Sequence, residues 1–139
     1  MKNSDFHKRV VVHGQGEGPV LATTVPLSFW GGLNPHTGEI VDRHHPLSGC
    51  NVAGCVFVLP YGRGSSTASG VLLEAIMTKH APSAILLSEV DEIIALGAIV
   101  AEEIFSKRLP VIVLDSDTFQ KALQAKYAWI KEDGSVILQ

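Results

Sequence analysis

The apolar positions of this chain fall into short runs separated by turn residues. Runs of this length, bounded by Gly, Pro, Asn or Asp, predict β-strands at residues 9–13, 20–24, 52–59, 84–87, 110–114, 128–130 and 136–138. The run at residues 84–87 is continuously apolar, which is typical of a strand buried on both faces of a sheet. The turn at residues 132–134 predicts a hairpin between the last two strands.

Three other segments carry apolar residues at helical spacing. After residue 65 these are Ala68, Val71, Leu72, Ala75 and Ile76, and Pro82 prevents the helix from continuing. A second helix is predicted at residues 91–105, with one apolar stripe formed by Ile93, Gly97, Val100, Ala101 and Ile104. A short third helix is predicted at residues 118–124. Strands alternating with helices after a strand-rich first third indicate a layered α/β domain.

The first two strands flank a glycine-spaced turn at residues 14–19. Its spacing resembles a dinucleotide-binding fingerprint, but a strand and not a helix follows it. We therefore expect a hairpin between residues 9–13 and 20–24. No repeat, low-complexity segment or linker is visible, so residues 1–139 are predicted to form a single domain.

Residues 26–49 form a long segment rich in Gly, Pro, Asn and His. Phe29 and Trp30 argue against disorder, because large rings in a loop generally pack on something. We interpret the segment as an ordered loop that reaches over a site or into a partner. Its polar cluster of Asp42, His36, His44 and His45 raises a metal hypothesis, but the spacing is not diagnostic. Hydrogen bonds that order the loop, or contacts with substrate, are the favoured interpretation.

The most informative stretch joins the strand that ends at residue 59 to the first helix. Gly62 and Gly64 permit a tight turn and a close approach of a ligand to the backbone. Ser65, the next residue, is a good N-cap, and the amides of the first helical turn have no partner within the helix. The helix dipole and Arg63 add positive charge. The turn is therefore predicted to bind an anion, the simpler alternative being a well-capped helix.

Composition excludes several functional classes. The chain has 139 residues and a net charge of −3, without a basic patch, so no nucleic-acid binding is expected. No apolar run reaches membrane length and no leader is visible, which predicts a cytoplasmic protein. A mean hydropathy of +0.24 fits a chain that covers part of its surface with a partner. Cys50 and Cys55 supply at most two ligands, too few for an iron–sulfur cluster.

The turn and its surroundings resemble a known family. The motifs PLSFWGG at 26–32, NPHTG at 34–38, DRHHP at 42–46 and GRGSS at 62–66 are similar to those of the aconitase X small subunit. The resemblance extends from about residue 14 to residue 114. It implies the swivelling β/β/α fold of the aconitase superfamily, a layered sheet with flanking helices that closes over a larger catalytic subunit.

The resemblance also implies residue roles. Ser65 would be the base that takes a proton from the carbon beside a carboxylate in a hydro-lyase reaction. The expected substrate-binding residues are Arg63, Gly64, Ser66, Thr67, Ser28 and Asn34. In aconitase itself an arginine follows the two serines, whereas this chain has Thr67 there. Aconitase X proteins share this departure, which argues against a tricarboxylic substrate.

Nothing in the chain can expel the leaving hydroxyl, so the site is predicted to be incomplete. By resemblance, a separate large subunit would form a heterodimer with this chain and carry an iron–sulfur cluster, and this chain alone would bind no metal. The preferred substrate is cis-3-hydroxy-L-proline, and mevalonate 5-phosphate is the alternative. A different class also stays open, a non-catalytic anion-binding or docking module that uses Phe29 and Trp30.

Overall fold

The computed structural model describes residues 9–139. They contain seven strands and three helices. The strands are β1 Arg9–Val12, β2 Gly16–Ala22, β3 Val56–Leu59, β4 Ala84–Leu87, β5 Val111–Val113, β6 Tyr127–Ile130 and β7 Val136–Leu138. The helices are α1 Ser66–Met77, α2 Glu92–Phe105 and α3 Ser116–Gln124.

All seven strands join one sheet in the order β1-β5-β4-β3-β2-β6-β7. Its centre is parallel, since β2 pairs with β3, β3 with β4 and β4 with β5 in the same direction. The edges are antiparallel: β1 pairs with β5, β6 pairs with β2, and β7 pairs with β6. Strand β2 serves two partners: Gly16 to Pro19 pair with β6, and Val20 to Ala22 pair with β3.

The predicted hairpin between the first two strands is wrong. Strand β1 pairs with β5, where Arg9 lies opposite Val113, and no pairing joins it to β2. The physical reason is that a short apolar strand specifies a buried face but not its partner, and the partner here lies about 100 residues away in sequence. The final hairpin is confirmed, with Ile130 opposite Val136.

Most other elements are confirmed, with shifted boundaries. The strand predicted at 52–59 starts only at Val56, because Gly54 adopts a positive φ of 75° in a preceding turn. The stripe predicted for α2 is confirmed in part: Gly97 and Ala101 are buried, together with Ile94 and Ala98. The predicted Ile93 and Val100 are half-buried, and Ile104 is 68% exposed. The small residues allow α2 to lie close to α1, and that packing selects the buried stripe.

The core has two layers, one on each face of the sheet. Alternation along β3 sends Phe57 and Leu59 to one face and Val56 and Val58 to the other. The first face is covered by α1 and α2 together with the loop at residues 26–49. The second face is covered by α3, with Phe119 and Ala122, and by the β6 and β7 edge.

The loop at residues 26–49, predicted to reach over a site or into a partner, packs into the first layer of the core. Phe29 is 2% exposed and stacks on Phe57 with ring centroids 6.4 Å apart, and Ile40 is fully buried. Trp30 behaves differently, since it is 62% exposed. Among residues 9–139, no helix is both long and apolar enough to cross a membrane.

Candidate functional site

The candidate site lies where three neighbouring parallel strands end. The segments that follow β2, β3 and β4 meet at this carboxyl edge of the sheet, a common location for ligand sites in α/β folds. Leu27, after β2, forms a parallel bridge with Gly62, and its carbonyl accepts a hydrogen bond of 3.1 Å from the amide of Arg63. The carbonyl of Pro60 accepts one of 3.1 Å from Ser88, after β4.

Ser65 is the N-cap of α1, as its sequence context predicts. Its backbone is extended, with φ −105° and ψ −174°, and its Oγ accepts a hydrogen bond of 3.4 Å from the amide of Thr67. Residues 63–67 are all exposed, so the first amides of α1 face solvent at the edge of the sheet.

The electrostatics of the turn favour an anion. The first turn of α1 contains no acidic side chain that would neutralise the helix dipole. The Arg63 guanidinium is exposed and forms no ion pair with any residue in the described part of the chain. A full positive charge and a helix N-terminus therefore act on the same exposed surface beside Ser65.

Asp91 also belongs to this site, although the sequence reasoning missed it. Its Oδ2 accepts a hydrogen bond of 2.6 Å from the amide of Gly62. Its Oδ1 accepts from Ile93 and Ile94 at 2.9 and 3.0 Å, which caps α2. The position of Asp91 before an apolar helix identifies a helix cap in the sequence, but its contact with the turn depends on the neighbouring positions of β3 and β4.

Ser28 and Asn34, both predicted to contact substrate, lie beside opposite ends of α1. Ser28 is beside the turn: its Oγ donates to the carbonyl of Trp30 at 3.1 Å and lies 3.3 Å from the position that a Cβ on Gly64 would occupy. The Oδ1 of Asn34 instead accepts from the amide of His36 at 2.9 Å.

The position of Pro35, next to Asn34, shows that Asn34 lies far from the turn. The carbonyl of Pro35 accepts a hydrogen bond of 2.6 Å from Thr78, the C-cap of α1. A helix of 12 residues is about 18 Å long at 1.5 Å per residue, and Ser65 caps its other end. The structure thus brings Ser28, but not Asn34, to the turn within this chain. A substrate contact by Asn34 stays a prediction.

The cleft behind the turn is too small to enclose a substrate. It has a volume of about 10 Å³, room for roughly one water molecule. Its lining combines apolar side chains with both charged groups of the site: Leu27, Phe29, Arg63, Ala68, Asp91, Ile93 and Ile94. Two larger grooves of about 430 Å³ are open to solvent: one lies between β2 and β6, and the other lies beside the turn, at Gly62 and Asp91.

Two of the three histidines of the loop make side-chain contacts within the chain. His45 is buried, its Nε2 lies 3.0 Å from the carbonyl of Val25, and its Nδ1 accepts from the amide of Leu47 at 3.0 Å. This confirms that it orders the loop. His36 pairs with Glu74 at 2.9 Å. Within residues 9–139, no three His, Cys, Asp or Glu side chains are grouped so that they could hold a metal ion.

The two cysteines are partly buried free thiols. Burial, and secondarily the neighbouring Cys50, raise the pKa of the Cys55 thiol above its ordinary value. Its Sγ donates to the carbonyl of Asn51 at 3.5 Å. The protonated thiol of Cys55 is therefore favoured over the thiolate, the form that acts as a nucleophile.

Comparison with known proteins identifies the family. The model of the aconitase X swivel domain matches residues 5–138. The chain belongs to this family. The resemblance inferred from the motifs around Ser65 is thereby confirmed.

Two relatives illustrate the activities found in proteins with this domain. A cis-3-hydroxy-L-proline dehydratase of Pseudomonas aeruginosa is 50% identical over 123 residues, which are 88% of this chain but 21% of that protein. A phosphomevalonate dehydratase small subunit of Methanothermobacter thermautotrophicus is 45% identical over 93 residues, 67% of this chain and 71% of that one. The chain thus spans about a fifth of the length of the cis-3-hydroxy-L-proline dehydratases that it matches.

The fold has a close experimental counterpart. The crystal structure of Thermococcus kodakaraensis aconitase X in its holo-form superposes with a TM-score of 0.80 and 31% identity, covering 95% of this chain and 98% of that one. The swivel fold predicted from the motifs is therefore confirmed.

Proposed function

We propose that this chain is the small swivel subunit of an aconitase X-type dehydratase, acting on cis-3-hydroxy-L-proline with a large partner subunit. The observation that carries the proposal is the exposed turn in which Ser65 caps α1 beside Arg63, in a member of the aconitase X swivel family. An incomplete site fits this role, since the cleft behind the turn holds only about one water molecule.

In the proposed reaction Ser65 is the proton acceptor. A serine hydroxyl is a poor base in water, and it becomes usable only where its deprotonated form is stabilised and solvent is excluded. The Oγ of Ser65 already accepts a hydrogen bond from the amide of Thr67, and amide donation favours the charged form of an acceptor. The positive end of α1 and Arg63 act in the same direction.

Substrate binding is assigned to the same surface. The amides at the start of α1 donate to the substrate carboxylate, and Arg63 presents two parallel N–H groups to it. Gly64 leaves room for the substrate beside the backbone, and Ser28 lies next to it. Ser66 and Thr67 contribute through their backbone N–H groups. The contact proposed for Asn34 is not part of the turn, because Asn34 lies beside the C-terminal end of α1 in this chain.

The remaining chemistry is assigned to the large subunit. The described residues provide no group of side chains that fits an iron–sulfur cluster, so we propose that the large subunit holds it. A bound cluster would supply a Lewis acid for the leaving hydroxyl. This chain contributes the proton acceptor, binds the carboxylate and covers the reacting atoms.

The alternative substrate is mevalonate 5-phosphate. Matches to cis-3-hydroxy-L-proline dehydratases extend over 88% and 91% of this chain, at 50% and 43% identity. Two phosphomevalonate dehydratase small subunits match 67% and 83% of it, at 45% and 35% identity. That difference supports the hydroxyproline substrate. The archaeal small subunits support the alternative, because the Methanothermobacter protein is 45% identical to this chain over the residues that match.

The test is reconstitution with the large subunit encoded by the same host. Dehydration of cis-3-hydroxy-L-proline and of mevalonate 5-phosphate is measured side by side, with this chain, without it, and with its Ser65→Ala variant. We expect turnover of cis-3-hydroxy-L-proline that needs both chains and is lost in the variant. Turnover of mevalonate 5-phosphate alone would establish the alternative substrate. A fully active Ser65→Ala complex would overturn the catalytic role and favour a docking module.

A further inference from the structure

One carboxylate joins the turn to the neighbouring helix. Asp91 uses Oδ2 for the amide of Gly62 at 2.6 Å, while Oδ1 receives the two amides that begin α2. Charge-assisted hydrogen bonds of this kind are stronger than those between neutral groups. Asp91 is half-buried and lines the same cleft as Arg63, yet the proposed reaction gives it no task.

Few other contacts fix the turn. On the side of β2, the amide of Arg63 donates to the carbonyl of Leu27 at 3.1 Å. On the side of β4, Gly62 is held by Asp91. The fit at Gly62 is close, because an added Cβ would lie 3.1 Å from Asp91 Oδ2 and 3.2 Å from Ile94 Cδ1. Arg63 and Gly64, which follow, are exposed, and Ser65 is held from the other side by its hydrogen bonds to α1.

We propose that Asp91 is a positioning residue, which fixes Gly62 and so sets the location of Arg63 and Ser65 relative to the substrate. Its effect on turnover rests on the proposed dehydratase function, whereas its effect on the turn is a property of this chain alone. Displacing a reacting group by about 1 Å can cost about 100-fold in rate, so one hydrogen bond at the base of the turn matters to chemistry.

The carboxylate can be altered without loss of the helix cap. In Asp91→Asn one oxygen becomes an NH₂ group, so the side chain no longer accepts bonds from both Gly62 and α2. Asp91→Ser retains a good N-cap but is too short to reach Gly62. Asp115→Asn is the matched control, because Asp115 caps α3 through Thr118 at 2.8 Å and belongs to a different loop.

The first measurement is the backbone amide spectrum of the full chain labelled with nitrogen-15. We expect the Gly62 amide proton to move upfield in both Asp91 variants, with shifts at residues 63–65, while the resonances of α2 stay helical. Asp115→Asn should leave residues 62–65 unchanged. Resonances of residues 62–65 that are unmoved in Asp91→Asn and Asp91→Ser would overturn the proposal.

The second measurement is turnover in the reconstituted complex. Both Asp91 variants should lower kcat about 10- to 100-fold, while Asp115→Asn stays near the unmodified complex. Normal turnover in the Asp91 variants, in a complex that Ser65→Ala inactivates, would refute positioning even if the amides had moved. If the unmodified complex dehydrates neither substrate, the dehydratase function fails, and the amide spectrum still decides whether Asp91 fixes the turn.

Discussion

Ser65 has two tasks, capping α1 and accepting a proton, and one substitution separates them. Asparagine is as good an N-cap as serine, but its side chain has no hydroxyl to act as a base. Ser65→Asn should therefore change the free energy of unfolding by less than about 0.5 kcal/mol. It should also lower kcat of the complex about 10²- to 10⁴-fold, the usual contribution of a general base.

Denaturant unfolding of the isolated chain and steady-state kinetics of the complex check these two effects. Ser48→Asn is the control, since Ser48 is an exposed loop serine. Activity retained in Ser65→Asn would mean that the hydroxyl is only a cap.

Arg63 tests whether geometry or charge binds the substrate. Arg63→Lys keeps the charge but loses the planar fork that matches a carboxylate. Loss of one charge-assisted hydrogen bond costs about 1.5–3 kcal/mol, which corresponds to about 10- to 100-fold in kcat/KM. Stability should be unaffected, because the side chain is exposed and has no ion-pair partner within residues 9–139. Arg43→Lys, at another exposed arginine, is the control. Equal kcat/KM for the two variants would show that substrate binding does not need the planar guanidinium of Arg63.

Gly97 controls how closely the two helices of the first layer approach. A Cβ at Gly97 would lie 2.8 Å from the carbonyl of Ser69 on α1 and 3.3 Å from Leu72. Gly97→Ala should therefore force the helices apart and lower the free energy of unfolding by about 1–3 kcal/mol.

Gly70, on α1, is the matched control because a Cβ there would meet no atom within 4 Å. Alanine is a better helix former than glycine, so Gly70→Ala should stabilise the chain by about 0.5–1 kcal/mol. Urea denaturation of both variants measures the two changes. Equal effects of the same sign would show that close helix packing does not limit residue 97.

The elements that sequence reasoning predicted well are those fixed by local chemistry. The turn at residues 62–66 and its helix could be predicted because glycines, an N-cap serine and helical spacing lie next to one another. The pairing of β1 with β5 could not, because nothing local specifies a partner about 100 residues away. The contact of Asp91 with the turn could not be predicted for the same reason. Its position before a helix predicts an N-cap, but its hydrogen bond to Gly62 depends on the order of the strands in the sheet.

At the scale of the whole molecule, sheet direction separates the candidate site from the last hairpin. The turn after β3 lies at the carboxyl edge of the parallel strands, whereas β6 runs antiparallel to β2 and delivers residues 131–135 to the opposite edge. From Gly16, paired with Ile130, to Ala22, paired with Val58, is six residues, about 20 Å at 3.3 Å per residue. The turn at residues 62–66 and the turn at residues 131–135 therefore lie at opposite ends of the sheet.

This geometry predicts which end the large subunit covers. If the proposed site is completed by the partner, amide hydrogen exchange at residues 63–67, which are exposed in this chain, should slow in the complex. Exchange at residues 131–135 should keep the rate of the isolated chain, because that turn lies at the opposite edge of the sheet. Exchange measured by mass spectrometry on the chain alone and in the complex tests both statements. Protection confined to residues 131–135 would mean that the partner binds the wrong end, and Ser65 could not then reach a substrate held by the large subunit.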